Sequence, residues 1–510
     1  MSPQHAPSAD ARRARERALW AVAAAAVLVH LVARVWLLRE GRLFACEDDP
    51  YRAYLAHLLA TGHRVPGASY WLLGQLGLLG ALEWAGVPTL MAGPLLSSAS
   101  IVALTVGLVE LVRGAVPADL RSGASAAIVI LVAASPLTLL LGASALPEAV
   151  ATALVVGAFA AWVRQMGGGG RWLLVAAGLT LACATWVRYA AWPAALAFPP
   201  LVYAAGRARR EGRGRAAHDL LLALPAWYGP VAWLVFQGMV HRSPFGFALA
   251  LDFAARVASG GGPSPVRVLE SRVDAIVGWM PVTLVWALLA VWLERGRLRA
   301  HARVALVVWC LALPSLMEIA VGVELGTFPA RFAYPLEIAL VPLAAVAIAS
   351  AVSRPRGGLV AIAVAGLTTV QVALGPWRPA DMLDASSARA AWLLSRGAFE
   401  RELRTGKLLV ERITPRPPYG WAAIGVARGE WGRTLFGTRL ADGWHFVDTT
   451  RDDEVGRVLP RDLPEYLADA DVRAMWLVTP GARAEAHAAW PDAEVTVVGR
   501  GVLVARPASR

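Results

Sequence analysis

Blocks of roughly 17–25 apolar residues recur along the first three quarters of this chain, and they match the length an α-helix needs to cross ~30 Å of hydrocarbon. Inside a bilayer every backbone N–H and C=O must be satisfied internally, so helices are the default filling for such blocks. A membrane barrel would need short segments of alternating polarity, and none occurs in the first 376 residues. Composition agrees. Of the 510 residues 57% are hydrophobic and 17% charged, whereas a water-soluble domain carries about 25% charged residues.

About eleven spans are expected, at 18–38, 88–112, 124–141, 148–164, 172–187, 190–206, 219–238, 273–293, 303–321, 332–352 and 358–376. The first follows Arg12, Arg13, Arg15 and Arg17 and is too long for a signal-peptide core, so it stays as a span with a cytoplasmic segment 1–17 before it. Arginine then alternates sides. Arg113 and Arg121, Arg164 and Arg171, Arg207 to Arg215, Arg295 to Arg303, and Arg354 with Arg356 all fall in loops of one side. Basic loops stay in the cytoplasm. The opposite loops, 39–87, 142–147, 188–189, 239–272 and 322–331, are then exterior, as is everything after 376. The expected localisation is therefore the cytoplasmic (inner) membrane. The net charge of +12 is explained by these loops and carries no nucleic-acid reading.

Loop 39–87 is far longer than a connection requires, and its part from Ala68 to Ala85, with Tyr70, Trp71, Glu83 and Trp84, reads as an interfacial segment, a re-entrant segment being the alternative. Loop 239–272 holds Gly260, Gly261, Gly262, Pro263 and Pro265, a stretch suited to a lid. After Pro376 the texture changes. Period-2 apolar runs at Leu408–Ile413, Arg473–Thr479 and Glu494–Ala505 alternate with helical patterns at 386–404 and 480–490. The fold class read from this is an all-α polytopic membrane bundle over 18–376 followed by a small exterior α/β domain over 377–510. Cys46, Cys183 and Cys310 are odd in number and scattered, with neither a disulfide framework nor zinc spacing.

Chemistry concentrates in the exterior loops. Glu47, Asp48 and Asp49 are consecutive a few residues beyond the first span. Crowded carboxylates raise one another's pKa, so one can serve as a base near neutral pH, and together they can hold a divalent cation. A solvated acidic turn is the plainer alternative. Glu148 sits at the exterior start of the fourth span, where a helix N-terminus favours negative charge. Arg188 and Arg331 stand on the exterior side against the charge bias. Phosphate recognition by the guanidinium fork and snorkelling to the interface both account for Arg188. Arg34, late in span one, is expected to snorkel outward, and His30, Glu318 and Glu337 are ionisable groups within spans.

The run Asp48-Asp49-Pro50-Tyr51-Arg52-Ala53-Tyr54, continuing as an amphipathic helix to Gly62, resembles the first exterior loop of the GT-C superfamily of polytopic glycosyltransferases. Members such as the protein O-mannosyltransferases and the aminoarabinose transferase of lipid A carry an acidic pair there, then a tyrosine and a helix ending in glycine. Pro329-Ala330-Arg331-Phe332-Ala333-Tyr334-Pro335 resembles the same family's Arg-Tyr/Phe-x-x-Pro stretch before a late span, and Glu148 stands at a turn where the family often places a second acid.

The resemblance implies transfer of a sugar from a polyprenyl-phosphate donor to a lipid, glycan or protein acceptor on the exterior face. Asp48 is then the base and Asp49 its neighbour, with Glu47 leaving the register open by one position. Tyr54 and Glu148 would line the site, and Arg188 or Arg331 would take the donor phosphate. No cofactor follows beyond a divalent cation at Asp48 and Asp49, if any. One carboxylate acting as base, with none needed as nucleophile, means a single inverting displacement. The rivals are a multi-pass transporter or lipid flippase, expected to show paired discontinuous helices and internal symmetry, and a membrane scaffold.

Overall fold

The computed structural model describes residues 9–39, 72–209 except Pro88, 212–245, 264–293 except Met280, and 330–354. It also describes isolated positions within 52–60, 312–320 and 359–371, and, towards the C-terminus, 407–411, 421–424, 468, 472–477, 480–498 and 501–506. Glu47, Asp48, Asp49, Tyr54 and Glu318 lie outside the described residues. So do the helix expected at 386–404 and most of the spans expected at 303–321 and 358–376.

Before the C-terminal part the described chain is helical. It comprises α1 (Ala9–Arg39), α2 (Leu73–Trp84), α3 (Thr89–Ala115), α4 (Arg121–Ala133), α5 (Pro136–Gly142), α6 (Glu148–Met166) and α7 (Trp172–Val187). There follow α8 (Trp192–Ala208), α9 (Arg213–Ala223), α10 (Tyr228–His241), α11 (Pro265–Trp279), α12 (Pro281–Leu293) and α13 (Ala330–Val352). Among the described residues five helices are long and apolar enough to cross a membrane: Arg13–Val35, Met91–Ala115, Glu148–Met166, Arg213–Met239 and Arg331–Val352. Two bent pairs bring the number to seven if each counts as one span, and Trp172–Val187 is a shorter apolar helix. The protein is thus a polytopic helical membrane protein.

Small residues draw the helices together. Gly93, Gly107 and Gly114 recur on α3 at multiples of seven. A Cβ at Gly107 would lie 3.0 Å from Val156 Cγ1, and one at Gly114 would lie 2.6 Å from Val163 Cγ1, so α3 and α6 meet at backbone distance. On the far side of α6, Phe159 and Trp162 pack edge-on against Phe198 of α8, with centroids 6.0 and 5.6 Å away. α13 packs on α4 and α12, with Ala339, Ala344, Ala345 and Ala347 buried.

Contacts at one end of the bundle agree with part of the arginine pattern. Arg15 donates to the carbonyl of Arg354 at 2.5 Å, just past the end of α13. Trp20 donates to the Ser122 hydroxyl at the start of α4 at 3.3 Å. The segments 15–20, 121–122 and 354 therefore share one end, as the basic loops require.

Two expected spans are broken. The one read at 124–141 bends by 66° between α4 and α5. Ser135 caps α5 by accepting the Thr138 N–H at 3.0 Å, and Pro136 occupies the first helical turn, so the local sequence restarts a helix there. The break leaves carbonyls open at the end of α4, the far end of α5 leaves others, and α1 answers both. His30 donates Nδ1–H to the Ala133 carbonyl at 2.9 Å, and Arg34, one turn further along the same face, donates to Gly142 at 2.7 Å and to the Ser98 hydroxyl. Arg34 does not snorkel outward, because an open helix end lies within its reach.

The span read at 273–293 is also two helices, α11 and α12, which meet at 97° before Pro281. Residues 265–272, read as part of a loop, form the first half of α11. Its buried face is Val268, Arg272, Ala275, Ile276 and Trp279. The segment read as interfacial contains α2, which buries Gln75, Leu76, Leu79 and Gly80 and leaves Trp84 exposed.

The C-terminal part forms one five-stranded sheet: β1 (Lys407–Glu411), β2 (Trp421–Ile424), β3 (Val472–Leu477), β4 (Glu494–Val498) and β5 (Gly501–Ala505), with α14 (Pro480–Ala489) between β3 and β4. The order is β2-β1-β3-β5-β4, with β1 and β3 parallel and the other pairs antiparallel. The run 494–505, read as one apolar stretch, holds two antiparallel strands, with Val498 of β4 paired to Gly501 of β5. Arg506 lies over the Trp490 ring at 4.4 Å, tying the chain after β5 to the end of α14.

Candidate functional site

Glu148 is the first residue of α6, and its carboxylate is fully buried. A negative charge there complements the helix dipole. Arg188 closes α7 with an extended backbone (φ −154°, ψ 136°), which turns the chain into the short 3-10 helix Tyr189–Ala191. Arg188 Nη1 pairs with Glu148 Oε1. The same carboxylate oxygen lies 3.7 Å from Nε of Arg331, the second residue of α13. A cation at a helix N-terminus is opposed by the dipole, and Glu148 offsets that penalty. The Arg331 side chain is 7% exposed and that of Arg188 12%, so neither reaches out to solvent.

A third guanidinium arrives from α11. Arg272 is 1% exposed. The guanidinium carbons of Arg188, Arg272 and Arg331 stand 4.9, 5.2 and 4.8 Å from the centre of the Phe332 ring. Each such contact contributes on the order of 1 kcal/mol, more when desolvated. Among the described residues the cluster therefore sets three guanidiniums and one carboxylate around a single phenyl ring. Planar forks converging from three helices are suited to the tetrahedral oxygens of a phosphate group.

Hydrogen bonds tie Arg52, in the loop after α1, to the turn that precedes Glu148. Arg52 donates to Gln75 Oε1 at 2.8 Å, and the Gln75 amide donates to the Ala145 carbonyl, three residues before Glu148. Ser97 holds the neighbouring Ser144 carbonyl at 2.7 Å. A Cβ at Gly93 would fall 2.4 Å from that of Ala145, so only glycine lets α3 approach the turn this closely. Leu55 and Ala56 are buried, the latter against Gly80 of α2. On the flank, Tyr189 packs with Trp192 and Trp233, centroids 5.6 and 6.3 Å apart, and burial pushes its phenol up, keeping it neutral.

The structure thus brings together Glu148, Arg188 and Arg331 of the residues singled out from sequence. Glu47, Asp48, Asp49 and Tyr54 lie outside the described residues. Sequence reasoning missed Arg272, Phe332 and Gln75. Arg272 carried the signal that flagged Arg188, an arginine on the side opposite the basic loops, but it stood in a stretch read as a lid. Among the described residues no group of three or more His, Cys, Asp or Glu is placed to hold a metal ion.

The crystal structure of ArnT from Cupriavidus metallidurans in the apo state superposes with a TM-score of 0.51 at 15% identity, covering 94% of this chain and 98% of that one. The chain shares the fold of ArnT. ArnT is an aminoarabinose transferase of the GT-C superfamily, so the architecture is the one the first-loop resemblance implies. A second ArnT structure, bound to undecaprenyl phosphate, matches with a TM-score of 0.49 at 14% identity, over 95% of this chain and 98% of that one. The Archaeoglobus fulgidus oligosaccharyltransferase, in complex with Zn and sulfate, matches with a TM-score of 0.39 at 14% identity, over 68% of this chain and 50% of that one. No family model and no curated protein sequence matches the chain.

Proposed function

We propose that this protein is an integral-membrane glycosyltransferase that moves a sugar from a polyprenyl-phosphate donor to an acceptor hydroxyl on the exterior face of the membrane. The observation that carries the reading is the convergence of Arg188, Arg272 and Arg331 on Phe332 beside Glu148. The shared ArnT fold supports it.

Asp48 takes the proton of the acceptor hydroxyl as its oxygen attacks the anomeric carbon. The bond from that carbon to the phosphate oxygen breaks, the configuration inverts, and the arginines hold the charge left on the lipid phosphate. Asp49 and Tyr54 orient the acceptor, and Glu47 holds the turn. Asp48 precedes Arg52 by four residues, a tether of at most ~14 Å, and Arg52 is hydrogen-bonded through Gln75 to Ala145, three residues before Glu148. A divalent cation, if one is used, would sit at Asp48 and Asp49 and neutralise acceptor or phosphate oxygens. The N-terminus is cytoplasmic and 377–510 is an exterior α/β domain that neighbours the acceptor.

Two broken spans favour a second reading, a transporter or flippase, since such proteins bind cargo where helices are interrupted. Here the Ala133 and Ala134 carbonyls at the interruption between α4 and α5 are taken by His30 and Gln371. A break whose carbonyls are already satisfied by side chains does not offer a cargo site, so the enzyme reading stands ahead.

The test is transfer of a labelled sugar from a polyprenyl-phosphate donor by the purified protein in lipid, with Arg272→Lys and Arg331→Lys beside it. The proposal expects turnover that falls at least about tenfold in either variant, because lysine keeps the charge and loses the fork. Transport of the intact donor across vesicles without transfer would establish the second reading instead.

A further inference from the structure

Gln371 falls in the apolar run expected at 358–376, and it is buried to 4% exposure. Its side-chain oxygen accepts the Val282 N–H at 3.0 Å, and its amide donates to the Ala134 carbonyl at 3.2 Å. The partners fix the amide orientation, because a backbone N–H only donates and a carbonyl only accepts. Val282 is the second residue of α12, so its N–H has no acceptor within that helix. Ala134 closes α4, so its carbonyl is among those a helix end leaves open. One side chain therefore bridges the two breaks in the bundle, the 66° bend between α4 and α5 and the 97° bend between α11 and α12.

The second bend matters because of what α11 carries. Pro281 interrupts the helix, so nothing in the backbone hydrogen-bond ladder sets the angle between α11 and α12. At the angle observed Arg272, two turns before the bend, reaches the Phe332 ring. The α4–α5 pair, by contrast, is pinned to α1 at the C-terminal end of each helix, by His30 on Ala133 and Arg34 on Gly142, and serves as a fixed anchor.

We infer that Gln371 is a positioning residue for donor binding, holding the α11–α12 bend against the anchored α4–α5 break so that Arg272 meets the lipid phosphate. This rests on the phosphate reading of the arginine cluster. Gln371 touches no substrate and acts through Arg272 alone.

The test is a double-mutant cycle on the full-length protein in detergent, with a polyprenyl phosphate as the probe and its dissociation constant as the readout. Gln371→Met removes both hydrogen bonds at nearly constant volume, and Gln371→Glu keeps the acceptor for Val282 while losing the donor to Ala134, in case the methionine variant fails to fold. Either is expected to weaken binding about tenfold in the wild-type background, within the range seen for remote coupling residues. In an Arg272→Gln background the same substitution should cost nothing further, while with Arg188→Gln the two losses should multiply. Multiplying losses with Arg272→Gln would make Gln371 a general stabiliser and overturn the inference while leaving the phosphate reading intact. Unchanged binding by Arg272→Gln alone would instead remove Arg272 from the phosphate site, and the inference with it.

Discussion

At one end of the bundle Arg15, Arg113 and Arg171 stand apart from one another. Arg15 donates to the carbonyl beyond α13, Arg113 lies 3.6 Å from Glu110 with both side chains about half exposed, and Arg171 lies 3.3 Å from Asp219. At the other end Arg188, Arg272 and Arg331 leave three different helices and meet around one ring, nearly out of contact with water. The residue type is the same and the physics is opposite. Dispersed, solvated arginines orient helices and cap their ends at little energetic consequence. Converged and desolvated ones repel one another strongly in a low dielectric, and here the Glu148 carboxylate stands between two of them.

The comparison breaks most visibly at the acid. Asp48→Asn removes the proposed base at constant shape, and transfer should fall by ~10²–10⁴ while thermal stability stays near wild type. Normal transfer by this variant, and by the matching changes at Glu47 and Asp49, would leave the converged end with no catalytic partner.

Next comes the carboxylate that joins two of the arginines. Glu148→Gln strips the counter-charge from a buried pair, a change that costs on the order of 3 kcal/mol. Thermal unfolding in detergent should show that loss; an unshifted midpoint would mean the cluster is as solvated as the opposite end.

Smaller again is Arg188→Lys. Charge is retained, bidentate geometry and part of the stacking on Phe332 are lost, and donor affinity should drop about tenfold with folding intact. Equilibrium binding of a polyprenyl phosphate measures it.

The smallest effect sets the baseline. Arg113→Lys alters an exposed pair worth less than about 1 kcal/mol and should change neither stability nor transfer. A large effect there would erase the distinction between the two ends.

Apolar block lengths and arginine alternation were enough to read a polytopic helical bundle, because a bilayer leaves a chain few other ways to satisfy its backbone. The helix starts at Glu148, Trp172 and Ala330, and the strands near 408, 473 and 494, were legible for a similar reason: each depends on a local period and its neighbours. Glu148, Arg188 and Arg331 could be singled out because each violates or exploits a one-dimensional rule of sidedness. That Arg188 and Arg331 share an oxygen of Glu148, and a phenyl ring with Arg272, is a fact of three dimensions. Residues 148, 188, 272 and 331 come from four helices, and no periodicity records which helix ends coincide. The breaks at Ser135 and Pro281 are a matter of degree: serine before proline hints at a helix restart, but a bend of 66° or 97° is set by the packing of α1, α13 and Gln371 around it. Sequence determines where a helix can end, since caps and prolines act within a turn. Only the assembled bundle decides what meets the open backbone groups, because the partners that satisfy the carbonyls ending α4 and α5, His30, Arg34 and Gln371, lie 100 or more residues away along the chain.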